Sequence, residues 1–223
     1  DKKTGEIVKK LPTEATIIKN QFINNLSCDD NSLFFINTYG TLYSINSNNL
    51  KVNWFLNLNQ SIDLNPSNLF FGNEIVMDKN KVVVSANQFT YVIDSNTGKL
   101  LSKKNFHIKH RPLIFKDYLF LITNNNLLIS LDLKNLDILY SQNIDRQIAE
   151  FLKIKKKEVK TKNIIVANSK IYIFLTNSYI LKYNLNGKLE EVRKPQAKMQ
   201  SQPIFINGSL LFINKKNKLV ILD

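Results

Sequence analysis

Short apolar runs alternate with short polar turns along the whole chain, and this alternation follows one repeated order. An apolar run is followed by a polar turn, a second apolar run and then an Asp or Asn residue, as in the segment from Leu33 to Asn46. The residues that close these segments, called anchors below, lie 38 to 52 residues apart. The anchors are Asn46, Asp94, Asp132, Asn184 and Asp223. A repeat of this length indicates an architecture built from stacked copies of one unit.

The first residues of the chain add a sixth anchor. The stretch DKKTGEI from Asp1 matches DSNTGKL from Asp94, so that Gly5 aligns with Gly98. Asp1 lies 45 residues before Asn46, which fits the spacing of the other anchors. Asp1 and Asp223 therefore occupy the same phase of the repeat.

Each unit predicts four short strands. In the second repeat these strands are residues 75–77, 82–84, 89–93 and the stretch that begins at Leu100. The second strand is apolar without alternation, which indicates burial on both faces, and Asn residues stand in the turns where a left-handed backbone is needed. Four strands per unit at this period are typical of an all-β fold, a β-propeller of four-stranded antiparallel blades.

One segment departs from the repeat. Residues 146–162 form a basic insertion that explains the longest interval between anchors. From Arg146 to Lys162 the spacing of Ile148, Phe151 and Leu152 predicts that these three side chains share one face of a helix.

The anchors and the residues around them resemble the repeat of the pyrroloquinoline-quinone (PQQ)-type propellers. The closest copies are Leu42–Asn46 and Tyr91–Lys99, the second of which contains the Thr-Gly-Lys turn with Gly98. In that family a tryptophan eight residues after the anchor packs between neighbouring blades. Trp54 stands at this position after Asn46, and Tyr140 stands there after Asp132. The resemblance assigns blade docking to Trp54, Tyr140 and Gly98.

The family usually has seven or eight blades, whereas this chain of 223 residues contains about five repeats. Residues 1–223 are therefore expected to form a single propeller domain, or an in-phase fragment of one. A chain that starts with Asp rather than Met favours the fragment, and a closed ring of five blades is the alternative.

The net charge of +13 raises the question of a nucleic-acid partner. Only three of the 31 basic residues are Arg, the side chain best suited to forked contacts with phosphates and bases. No nucleic-acid partner is expected, although a salt-sensitive basic surface is the alternative. No apolar run approaches the length that crosses a bilayer, so only peripheral membrane association is expected.

The sequence contains no recognisable catalytic, cofactor-binding or metal-binding constellation. Quinoprotein dehydrogenases of the resembled family carry a pair of adjacent cysteines beside the cofactor, and this chain has Cys28 alone. His107 and His110 lie three residues apart in a loop, with neither a cysteine nor a carboxylate close in sequence. We therefore expect no cofactor, no metal and no enzymatic activity.

The candidate partner-binding residues are cationic. One group is the loop edge with His107, His110 and Arg111, and the other is the insertion with Lys153, Lys155, Lys156 and Lys157. Loops on a rigid scaffold commonly carry binding functions.

The resemblance is strongest to the non-enzymatic branch of the family, the outer-membrane assembly lipoproteins of the BamB type. It implies a periplasmic, outer-membrane-associated scaffold that binds a protein partner, the BamA-type barrel-assembly machinery. The alternative that the same family offers is a quinone- or metal-dependent periplasmic dehydrogenase.

Overall fold

The computed structural model of the protein describes residues 1, 3–11, 26–59, 74–86 and 88–222. Within these ranges the chain forms nineteen β-strands and one α-helix. It divides into two compact units, Asp1–Ile108 and Lys109–Asp223. The anchor Asp223 lies outside the described residues.

The first unit holds two antiparallel sheets of four strands each, in which every strand pairs with its neighbours in sequence. The strands of sheet 1 are β1 Leu26–Cys28, β2 Ser32–Ile36, β3 Thr41–Asn46 and β4 Val52–Asn57. The strands of sheet 2 are β5 Val76–Asp78, β6 Lys81–Ala86, β7 Phe89–Asp94 and β8 Leu100–Lys104. Sheet 2 confirms the four strands that the sequence predicts for the second repeat, between residue 75 and the stretch that begins at Leu100.

The second unit holds three antiparallel sheets, two of four strands and one of three described strands. The strands of sheet 3 are β9 Leu113–Phe115, β10 Tyr118–Ile122, β11 Leu127–Asp132 and β12 Ile138–Asn143. Those of sheet 4 are β13 Thr161–Ala167, β14 Lys170–Leu175, β15 Ile180–Asn184 and β16 Leu189–Arg193. Those of sheet 5 are β17 Ile204–Ile206, β18 Ser209–Ile213 and β19 Leu219–Leu222.

The middle strands of the sheets supply the core of each unit. In the first unit Phe34, Leu42 and Val82 are completely buried in one cluster. In the second unit Phe120 and Ile173 are completely buried in another. The middle strands are continuous apolar runs because both of their faces are buried, as the sequence predicts; Val82, Val83 and Val84 of β6, for example, are all completely buried.

The anchor residues close the turn between the third and fourth strands. The Asp94 carboxylate accepts hydrogen bonds from the backbone N–H of Asn96 at 3.0 Å and of Thr97 at 2.8 Å. These two bonds fold the chain into a tight Asx turn, for which either Asp or Asn supplies the acceptor oxygen. Asp1 forms the same turn with the N–H groups of Lys3 and Thr4, which explains the match between the two sequences.

A β-bulge precedes the anchor by one to two residues in all four sheets that have four strands. The shifts in register fall at residues 44/45, 92/93, 130/131 and 182/183. Because of the bulge, Trp54 lies opposite Ser44 and Tyr140 lies opposite Ser130. In sheet 4 the position opposite the corresponding Lys182 is Glu191, one residue earlier than the spacing from Asn184 predicts. That turn is shorter by one residue, since the anchor N–H bonds to Lys188 O, four residues on.

The helix of the insertion is shorter than predicted. Helix α1 spans Ile144–Leu152 and follows β12 directly, so the prediction of a helical stretch from residue 146 to 162 is wrong in both bounds. Ile148 is buried in the core, as expected, but Phe151 and Leu152 are 46% and 40% exposed. All three residues lie within α1 at positions that share one helical face, but only Ile148 of the three is buried.

Candidate functional site

The insertion between sheets 3 and 4 begins with a well-capped helix. The side chain of Asn143 accepts a hydrogen bond from the backbone N–H of Arg146 at 2.9 Å, which satisfies a free donor in the first turn of α1. At the other end Lys153 takes a left-handed conformation with φ of 53°, and its N–H bonds back to the last turn. Both ends of α1 are therefore fixed by local contacts.

A buried carboxylate ties the far end of the insertion to the start of α1. Asp145, only 6% exposed, accepts hydrogen bonds from the Val159 N–H at 3.0 Å and from Asn126 Nδ2 at 3.1 Å. The same Asn126 amide donates to Val159 O at 2.8 Å. This set, called the Asp145 clamp below, holds residues from three separate segments in one place.

Lys160, which follows Val159, connects the insertion to sheet 4 by a backbone hydrogen bond. The N–H of Thr176, at the end of β14, donates to Lys160 O at 2.8 Å. Residues 151–158 are all exposed between these fixed ends. The insertion is thus an exposed loop held by a rigid frame at both ends.

Two open cavities lie beside sheet 4 in the second unit, with volumes of about 240 Å³ and 380 Å³. The larger one lies along the insertion. That cavity, called the α1 groove below, has a volume of about 380 Å³. Its apolar walls come from α1, from the exposed loop and from sheet 4. The wall residues are Ile148, Leu152, Ile154, Leu175, Tyr179, Leu181 and Val192.

The α1 groove carries positive charge at its rim. Lys155, Lys157 and Lys160 line it, while Glu158 is the exposed acidic residue among the lining side chains. Lys194 adds a further ammonium group 5.2 Å from the centre of the Tyr179 ring. The groove is therefore suited to bind a molecule that combines apolar groups with negative charge.

The structure brings part of the predicted lysine group together at this groove. Lys155 and Lys157 line it, Lys153 forms the helix cap, and Lys156 is exposed beside them. The contacts of the Asp145 clamp and of Tyr179 with the insertion were not predictable from the sequence, because they join residues far apart in the chain. An Asp two residues after a strand-ending Asn is the one local hint, since acidic side chains are common in the first turn of a helix.

The second predicted cationic group is divided between the two units. His107 is exposed and belongs to the first unit, whereas His110 and Arg111 belong to the second. The ring Nε2 of His110 lies 2.8 Å from Thr161 Oγ1, which fixes the loop before β9 to the start of β13. Burial, followed by the nearby charge of Lys109, lowers the pKa of His110. Among the described residues no group of three or more His, Cys, Asp or Glu could hold a metal ion.

The two aromatic residues assigned to blade docking each lie against a glycine of the next sheet. A Cβ added to Gly98 would lie 2.7 Å from Cδ2 of Trp54, and one added to Gly187 would lie 2.5 Å from Cε2 of Tyr140. Both glycines have positive φ, at 72° and 78°. The Trp54 Nε1–H also donates to Ser95 O at 2.8 Å. Close contact and backbone conformation together require glycine at both positions.

Helix α1 reinforces the second of these contacts. Gln147 Nε2 donates a hydrogen bond to Gly187 O at 2.9 Å, so the helix is bonded to the turn on which Tyr140 packs. Tyr183, completely buried nearby, has its pKa raised by burial and by the negative charge of Asp145. Burial also raises the pKa of Tyr140, so both phenols are harder to ionise than an exposed tyrosine.

No described helix is long and apolar enough to cross a membrane.

Comparison with known proteins identifies the fold of the chain and does not identify its family or function. No protein-family model matches the chain, and no curated protein matches it in sequence. Solved structures do match. A crystal structure of BamB from Moraxella catarrhalis has a TM-score of 0.66 at 8% identity, over 88% of this chain and 56% of that one.

A computationally designed protein, Ika8, has a TM-score of 0.65 at 14% identity, again over 88% of this chain and 56% of that one. The N-terminal domain of Nup159 has a TM-score of 0.54 at 10% identity, over 85% of this chain and 52% of that one. The chain thus spans about half the length of the structures it matches. Its fold is all-β, with five sheets of mostly four antiparallel strands that match β-propeller structures.

Proposed function

We propose that this chain is a non-enzymatic β-propeller scaffold that binds a partner protein through its insertion. The α1 groove carries this proposal, because it joins exposed apolar walls and a lysine rim to a loop fastened at both ends. A rigid frame lowers the conformational entropy that a binding loop loses when its partner docks.

The exposed apolar side chains supply the affinity in this mechanism. Phe151, Leu152 and Ile154 are 46%, 40% and 55% exposed, and they lie within four consecutive residues. Covering the exposed part of each would contribute about 1 kcal/mol, since full burial of such a side chain is worth roughly 1.5–3 kcal/mol. The flanking lysines would orient the partner and speed its association more than they tighten the complex.

The proposed setting is the periplasmic face of an outer membrane, with a BamA-type barrel-assembly protein as the partner. The fold likeness to BamB supports this proposal, as does the resemblance of the anchor turns to the PQQ-type repeat. Because the identity to BamB is 8%, the partner and the compartment belong to the proposal alone.

The direct test is calorimetry of the purified chain with a purified BamA-type protein from the same organism. We expect saturable one-to-one binding. Replacing residues 151–158 by a Gly/Ser segment of equal length should abolish it, whereas replacing Lys215 and Lys216 in the sheet 5 turn by Gly and Ser should not. Absence of binding by the unmodified chain would overturn the proposed partner.

The non-enzymatic part of the proposal has its own test. Addition of PQQ and calcium to the purified chain is expected to leave the absorption spectrum of the quinone unchanged. A stoichiometric metal together with saturable quinone binding would instead support the dehydrogenase alternative of the same fold family.

A further inference from the structure

The shape of the α1 groove limits what can enter it. Leu152 and Ile154 form one wall from the insertion, and Leu175 and Leu181 form another from sheet 4. A volume of about 380 Å³ falls at the small end of the range for ligand sites, about 300–1,000 Å³. The groove has room for a few apolar side chains and is too small for a folded element.

The exposed charges of the groove are mostly positive, with three lysines against the single carboxylate of Glu158 among its lining residues. Asp145 lies at its inner end, but its carboxylate already accepts from Asn126 Nδ2 and the Val159 N–H. Lys155, Lys157 and Lys160 remain exposed at the rim. An incoming carboxylate therefore meets more ammonium groups than carboxylates at the rim, and below them an Asp145 carboxylate that is already hydrogen-bonded.

The groove is also pre-formed. The Asp145 clamp fixes one end of the exposed loop, the bond from Thr176 N–H to Lys160 O fixes the adjoining backbone, and the left-handed cap at Lys153 fixes the other end. A peptide that enters would order its own backbone, while the receptor walls already stand in place.

We propose that the α1 groove binds an acidic peptide segment, with apolar side chains of the segment between α1 and sheet 4 and its carboxylates on Lys155 and Lys157. This inference rests on the proposed function and names the chemistry of the partner at the same site. A concave site with two facing apolar walls favours a peptide over a bilayer surface, which contacts protruding side chains and not the walls of a groove.

The test uses a fluorescein-labelled peptide of twelve residues in which Glu alternates with Leu and Phe, with fluorescence anisotropy as the measurement. A matched peptide with Lys in place of every Glu is the control ligand. We expect saturable binding of the acidic peptide to the full chain, at least tenfold weaker binding of the basic one, and weakening as salt rises from 0.05 to 0.5 M.

Paired variants locate the site. The double variant Lys155→Glu/Lys157→Glu should weaken peptide binding about tenfold or more, whereas Lys215→Glu/Lys216→Glu makes the same charge change in the sheet 5 turn and should leave it within twofold. Leu152→Ser should weaken binding about fivefold, and Leu139→Ser, at a similarly exposed position of β12, should not. Far-UV circular dichroism checks that each variant is folded.

Three outcomes would overturn the inference. One is the absence of saturable peptide binding, and another is an equal loss in the two lysine double variants. The third is binding of vesicles rich in phosphatidylglycerol that depends on Lys155, Lys157 and Leu152 while the peptide fails to compete, which would assign the surface to a membrane. If the BamA-type protein binds but the peptide does not, the groove chemistry is wrong and the scaffold function stands.

Discussion

In each of the two units a described aromatic ring packs against a glycine, and these two contacts are built differently. In the first, Trp54 packs on Gly98 and its indole N–H donates to Ser95 O. In the second, Tyr140 packs on Gly187, and the bond to that turn comes from Gln147 on helix α1. An inserted element thus supplies in the second unit the polar contact that the aromatic residue itself makes in the first.

The largest effect is expected where the glycines are replaced. Gly98→Ala should lower the free energy of unfolding of the first unit by about 3 kcal/mol, since the new methyl group adds overpacking to the cost of a left-handed L-residue. Urea denaturation followed by Trp54, the only tryptophan of the chain, measures this change. Gly187→Ala should have a similar effect on hydrogen exchange in sheet 4.

Two other glycines separate the clash from the backbone strain. Gly5 and Gly208 have φ of 73° and 90°, and a Cβ at either would meet nothing within 4 Å. Their alanine variants should cost about 1 kcal/mol. If Gly98→Ala costs no more than Gly5→Ala, the close approach of Trp54 is not the reason for glycine at that position.

Removing the Asp145 clamp should have the next largest effect and should be confined to the second unit. Asp145→Ala leaves the Val159 N–H without its acceptor and removes one of the two acceptors of the Asn126 amide, at a cost of about 2 kcal/mol. Tryptic cleavage after Lys155, Lys156 and Lys157 should become faster.

A neighbouring substitution provides the control for the clamp. Glu150→Ala removes the exposed ion pair with Arg146, in which Arg146 Nε lies 2.7 Å from Glu150 Oε1, and should cost less than about 0.5 kcal/mol. Equal cleavage rates in the Asp145 and Glu150 variants would show that the clamp does not hold the loop.

A matched pair of aromatic substitutions tests the difference between the Trp54–Gly98 and Tyr140–Gly187 contacts. Trp54→Phe removes the donor to Ser95 O together with part of the ring contact, and should destabilise the first unit by about 1 kcal/mol. Tyr140→Phe removes a buried hydroxyl that makes no hydrogen bond of ordinary geometry to a described residue, although the Ser130 hydroxyl lies close to it, and should change stability by less than about 0.5 kcal/mol. A large loss in Tyr140→Phe would mean that the Tyr140 hydroxyl forms a stabilising hydrogen bond, with Ser130 as the nearest described partner. Far-UV circular dichroism in urea measures both.

The smallest effect concerns pH and the anchors. The hydrogen bonds from Thr97, followed by that from Asn96, lower the pKa of Asp94. A folded-state pKa below the unfolded value of about 3.9 means that the turn is stabilised above that pH and that the contribution is lost as pH falls further. Asp94→Asn should therefore flatten the fall in the urea midpoint between pH 5 and pH 3. An unchanged slope would show that Asp94 does not contribute to it.

The strands were predictable because their signals are local. The third strand of each four-stranded sheet is an apolar run that ends at an Asx turn, so Asp94 could be placed from its neighbours in sequence. The contact of Trp54 with Gly98 needed the additional knowledge of a repeat family. Gly187 could not be paired with Tyr140 by counting, because the turn after Asn184 is one residue shorter.

The site was less predictable than the fold. The lysine run marked the insertion, but the end of α1 depends on a left-handed cap at Lys153, and the exposure of Phe151 depends on where the helix stops. The Asp145 clamp joins residues from three segments, and no local pattern announces a contact between Asn126 and Val159. Long-range polar contacts of this kind have to be read from the structure.

The order of the strands has a consequence for how the protein is made. In every described sheet each strand pairs only with the strand before it or after it in the chain. Such pairings close short loops, and short loops form quickly because little chain entropy is lost. Each sheet is therefore expected to assemble soon after its own segment leaves the ribosome, and the first unit can begin to fold while the second is still being synthesised.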